Sequence, residues 1–96
     1  MKIELKKFGA TLTSRQSGKE AYSAFLPSLN NLAKEEIIEV DFDGVNTFSP
    51  SWGDEFLTVL VKVYGDRVLL ANTSNLSVQS TIRLLEEINK CNFKIK

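Results

Sequence analysis

Histidine is absent from this 96-residue chain, and cysteine occurs once, at Cys91. Those two shortages exclude Ser-His-Asp and Cys-His nucleophilic sites, along with His-rich or Cys-rich zinc centres. A lone thiol also excludes an internal disulfide, which fits a reducing compartment. Only five glycines are present, and none falls in a Gly-x-Gly-x-x-Gly or phosphate-loop pattern. Net charge is lacking too, since twelve basic and twelve acidic side chains cancel. The chain therefore has no global electrostatic footprint for nucleic acid or an anionic membrane. No segment approaches the roughly 18 apolar residues that span a bilayer. The opening MKIELKKF alternates charge with apolar residues, unlike a secretory signal, so a cytoplasmic location is expected.

What remains is an ordinary globular composition, 43% hydrophobic and 25% charged, in a length that holds one core and one domain, residues 1–96. Ile3 and Leu5, with Lys7 in line, alternate with Glu4 and Lys6 as in a half-covered strand. Ala21, Tyr22, Phe25, Leu26, Leu29 and Leu32 recur at spacings of three and four. That predicts a first helix with one buried stripe, capped by Ser17 with Glu20 at the third position. Pro27 inside the stripe is expected to kink or split it near Ser23 to Leu26. Ile37 to Phe42 is a β-branched run suited to a central strand.

Trp52, Phe56, Val59, Leu60 and Val63 predict a second helix, which Gly65 ends. Arg67 to Asn72 predicts an interior strand. A third helix follows, capped by Ser77, with Val78, Ile82, Leu85 and Ile88 buried. Phe93 to Ile95 closes the chain as an edge strand blunted by Lys94 and Lys96. Strands alternating with helices define an α/β class. The expected architecture is a mixed sheet of about four to five strands with helices packed mainly on one face.

The stretch Ser49-Pro50-Ser51-Trp52-Gly53-Asp54 offers two competing helix starts. With Ser49 as the cap, Pro50 takes the first helical position, where its missing donor costs nothing. With Ser51 as the cap, Asp54 completes a capping-box-like pair. Asp54 and Glu55 are adjacent, so an α-helix would point them to different sides rather than form an acid–base dyad. Gly53 either admits a close neighbour or lets the helix pack tightly. Arg15 sits between hydroxyls, where a guanidinium either binds an anion or pairs within the chain.

These residues carry a resemblance. Val40-Asp41-Phe42-Asp43-Gly44-Val45, followed by Phe48-Ser49-Pro50-Ser51-Trp52-Gly53-Asp54-Glu55-Phe56-Leu57, resembles the signature of the bacterial STAS-like domain family. Ser14-Arg15 resembles that family's Ser-Arg pair ahead of the first helix. More remotely, the region is similar to anti-sigma-factor antagonists, which dock on histidine-kinase-like ATPases and are released by phosphorylation of a serine at the start of the second helix.

The resemblance implies a small STAS-like α/β domain and a non-enzymatic regulatory protein–protein interaction module of bacterial signalling, with no cofactor and no metal. It implies a partner surface of Ser49, Ser51, Trp52, Asp54, Glu55 and Arg15, with Ser49 and Ser51 as the candidate phosphorylation sites. The chain departs from the antagonist pattern, because Pro50 falls near the modified position and Asp54 and Glu55 would repel a phosphate. The rival expectation is a small Mg-dependent or nucleotide-binding protein that uses Asp41, Asp54 and Glu55.

Overall fold

In the computed structural model, which describes residues 1–96, the chain begins with β1 (Lys2–Glu4), β2 (Thr11–Leu12), α1 (Arg15–Leu29) and β3 (Ile38–Asp41). It continues through β4 (Thr47–Phe48), α2 (Pro50–Gly53), a π-helical turn (Asp54–Thr58) and α3 (Val59–Tyr64). The last elements are β5 (Val68–Leu70), α4 (Leu76–Asn89) and β6 (Lys94–Ile95). Pro50 to Tyr64 is thus one helical run with a wider turn in its middle.

The α/β class is borne out. Four strands form a sheet in the order β1-β3-β5-β6, and every pairing is parallel rather than mixed. Ile3, Val40 and Leu70 lie in register across three strands, each fully buried. Their neighbours Glu4, Asp41 and Leu69 are only partly covered. Period-two alternation therefore seals one face against the helices and leaves the other wet. On the open face Lys2 lies 3.6 Å from Asp41, and Lys96 reaches Glu39 at 3.1 Å. A second, two-stranded parallel sheet joins β2 to β4. No periodicity announces it, since two residues are too few to show one.

The sealed face belongs to a single core of 21 residues. Aromatic rings form its thickest part. Trp52 stacks on Phe56 with ring centres 5.0 Å apart, and Phe8, Phe25 and Tyr22 close around Phe56. Such pairs add to the energy of burial itself.

Several local expectations are corrected. Pro27 does not split α1, which runs through it to Leu29. Proline sits there in the last turn, and the exposed Ser23, whose carbonyl it leaves unpaired, faces water. Ser14, not Ser17, caps α1 by accepting from the Ser17 amide at 3.0 Å, because the buried stripe starts earlier, at Gly18. Asn75, not Ser77, caps α4 by accepting from Val78 N–H. Leu5 and Lys7 leave the first strand for a 3-10 turn over Leu5–Phe8. Leu26, Val63 and Ile88, expected in buried stripes, are exposed.

Candidate functional site

β2 and β4 run parallel, and each passes directly into a helix. Ser49 N–H donates to the Leu12 carbonyl at 2.9 Å, and both Asn46 and Thr47 donate to Ala10. Two helix starts, at Arg15 and Pro50, are thereby set side by side. The free edge of β4 is tied down by α4. Ser77 Oγ accepts from Phe48 N–H at 3.1 Å, and Thr81 Oγ1 donates to the Phe48 carbonyl. A two-residue strand held on both edges is a rigid mount for the helix that follows it.

Of the two competing caps, Ser49 is the one formed. Its backbone is extended (φ −91°, ψ 157°), its hydroxyl accepts from Trp52 N–H at 3.3 Å, and Pro50 takes the first helical position. The same hydroxyl donates to the Thr13 carbonyl at 2.7 Å, so Ser49 also latches the two helix starts together. A cap of this kind contributes about 1 kcal/mol. The Ser49 hydroxyl is thus engaged both as donor and as acceptor. Ser51 lies one residue into the first turn and is half-buried.

Trp52 is not on the surface. Only 1% of it is exposed, and its ring lies between Phe48 at 5.9 Å and Phe56. The expectation that its side chain meets a partner is therefore corrected: a large apolar ring in the first turn faces the core, which gains far more from it than water would. Gly18 and Gly53 let neighbouring segments approach this turn closely. A Cβ on Gly18 would stand 2.7 Å from the Trp52 carbonyl oxygen, and one on Gly53 would stand 2.9 Å from Leu85 and 3.0 Å from the Phe48 ring. Gly53 therefore serves close packing within the chain, which resolves the choice the sequence left open. Gly18 escaped sequence reasoning, although a glycine four residues after a serine cap, inside a helix where it costs about 1 kcal/mol, is itself a sign of close approach.

Above this packed layer lies a charged rim. Arg15 Nη1 is 2.5 Å from Glu55 Oε2 and 3.4 Å from Asp54 Oδ2. The two carboxylates converge on one guanidinium nitrogen instead of diverging. Both lie where the π turn begins and reach across to the start of α1. Glu55 first, and Asp54 after it, raise the Arg15 pKa further by hydrogen bonding. Arg15 is thus paired within the chain, yet 57% of its side chain is exposed, against 34% for Asp54 and 25% for Glu55. The three groups bridge both helix starts and face solvent.

The carboxylates needed for a magnesium site are not brought together. Asp41 accepts from Asp43 N–H at 3.1 Å and pairs with Lys2 on the open sheet face, while Asp54 and Glu55 are committed to Arg15. No group of three or more potential ligands is gathered for a metal ion. The strand order β1-β3-β5-β6 never reverses, so the sheet has no switch-point crevice of the kind in which open α/β sheets hold nucleotides. Asp41, Asp54 and Glu55, expected together in the Mg or nucleotide reading, therefore do not share one site. No helix is long and apolar enough to cross a membrane.

No curated protein matches the chain. No solved structure matches it either. The model of the STAS-like domain of unknown function (DUF4325) matches residues 18–78, from the close-packed glycine of α1 through β3, β4 and the Pro50–Tyr64 run to the first turn of α4. With about two thirds of its residues in that match, including the junction, the chain belongs to the STAS-like domain family.

Proposed function

We propose that the chain is a non-enzymatic regulatory module of bacterial signalling that binds a protein partner through the rim of Arg15, Ser51, Asp54 and Glu55. The observation that carries this reading is the ion cluster itself: two carboxylates share one guanidinium in solvent, across the starts of two helices whose backbones are locked beneath. Exposed ion pairs contribute little to stability. On a rigid mount they are well placed to fix orientation and partner choice, which is what charge does best at an interface.

The likeness to anti-sigma-factor antagonists suggests the partner, a histidine-kinase-like ATPase in the cytoplasm. It also suggests the switch. Ser51 is the hydroxyl suited to modification, because Ser49 is consumed as cap and latch. A phosphate on Ser51 would add about two negative charges beside Asp54 and Glu55 and compete for Arg15, remodelling the rim.

Affinity capture from the native host tests the reading, with wild-type protein, Asp54→Lys, Glu55→Lys and a distant control, Lys62→Glu. An ATPase of the histidine-kinase-like type should be recovered by wild type and control. Each rim reversal should reduce its recovery at least about tenfold, as loss of a complementary charge at an interface does. Equal recovery by all four proteins would remove the rim as the contact. Blue-shifted emission from buried Trp52 reports that each variant is folded.

A further inference from the structure

We infer that the outer face of α4 is a second, independent interface, at which the chain pairs with another copy of itself with the two helices antiparallel. Val78, Thr81, Ile82 and Leu85 face the core. On the other side, Leu76, Ser80, Leu84 and Ile88 follow one another at intervals of four and form a single ridge. Leu76 is 76% exposed, Leu84 40% and Ile88 61%, three of the chain's seven exposed large apolar side chains. Single exposed apolar residues are ordinary; three on one ridge of one helix are not.

The charges beside the ridge specify the occupant. Arg83 and Glu87 are exposed, lie four residues apart, and form no ion pair with each other or with any other group of the chain. An antiparallel two-fold axis at the level of Leu85 sets Arg83 of each copy against Glu87 of the other. The same axis sets Leu84 against Leu84 and Ile88 of the second copy, and seats Ile88 over the small Ser80. A parallel pairing would oppose Arg83 to Arg83 and Glu87 to Glu87. This pattern is self-complementary in charge and in size, as an isologous contact requires. A one-helix interface of this kind is small, and the dimer it forms is reversible, with a dissociation constant on the order of 10–100 µM.

Sedimentation equilibrium of the full chain, with Leu84→Asp, Arg83→Glu, Glu87→Arg and the double exchange Arg83→Glu/Glu87→Arg, tests this. The wild type should dimerise and Leu84→Asp should be monomeric. Each single reversal should raise the dissociation constant at least about tenfold, because symmetry makes every substitution count twice. The double exchange should restore dimerisation. Since all the substituted side chains are on the wet side of α4, folding is retained, and unchanged circular dichroism verifies it. A wild type that stays monomeric at about 1 mM, or a dimer indifferent to Leu84→Asp or not restored by the double exchange, overturns the inference.

Discussion

Replacing Trp52 by alanine is expected to remove about 3–5 kcal/mol of stability. Only 1% of the residue is exposed, and its ring packs against those of Phe8, Phe48 and Phe56. Rings on several sides of it are themselves packed in the core, so the cavity left by truncation has walls that collapse poorly. A domain of this size has only about 5–14 kcal/mol in total, and the variant should be near the edge of folding. Urea titration followed by far-ultraviolet circular dichroism measures the loss. Trp52→Phe keeps an aromatic ring in the same space and should cost only about 1–2 kcal/mol. A loss below about 1 kcal/mol in the alanine variant would mean that Trp52 does not fill the core as described.

Gly18→Ala is expected to destabilise, by about 1–3 kcal/mol, although the same exchange on an exposed helix surface would stabilise by about 1 kcal/mol. The sign is decided by what the new methyl meets. It would stand 2.7 Å from the Trp52 carbonyl oxygen, 3.0 Å from Trp52 Cα and 3.2 Å from Glu55 Cβ. Two of these three atoms are backbone, so no rotamer change relieves the clash, and α1 must move away from the Pro50–Tyr64 run. That movement also separates Arg15 from Asp54 and Glu55, linking the packing of the scaffold to the integrity of the rim. Thermal unfolding reads the stability. A rise in Tm would show that the two helices are not in close contact at Gly18.

Much of the architecture was legible in the sequence because it rests on periodicity. The β-branched run from Ile37 to Phe42 marked the central strand, which forms over Ile38–Asp41, and Gly65, with φ +58°, ended the helical run where expected. Features that depend on contacts between distant segments were not legible. Nothing local distinguishes Ser14 from Ser17 as a cap; the choice is made by where α1 begins to touch Trp52. The same holds for Ser77, whose hydroxyl serves the β4 backbone instead of its own helix. Edge residues such as Ile88 and Val63 fit a helical stripe by spacing but lie beyond the width of the surface that covers it.

The candidate site was legible in part for the same reason. The hydroxyls, the proline and the acidic pair declared a helix start, and the alternatives of Ser49 and Ser51 were both in view. Trp52 stood both in the apolar stripe of the second helix and in the expected partner surface, and only its neighbours decide between the two in favour of the core. The convergence of Asp54 and Glu55 on Arg15 was hidden, because it needs a partner some forty positions upstream.

The central claim is that the start of the Pro50–Tyr64 run divides into a buried aromatic plug and an outward charged rim, and that the rim is what a partner touches. Site-specific photo-crosslinking in the native host tests it most directly, with a photoreactive side chain at position 51 and, as a control, at position 62. The account predicts a crosslink from position 51 to a histidine-kinase-like ATPase, abolished when Glu55 is changed to lysine, and none from position 62. Crosslinks to that partner from position 62 but not from position 51 would contradict it.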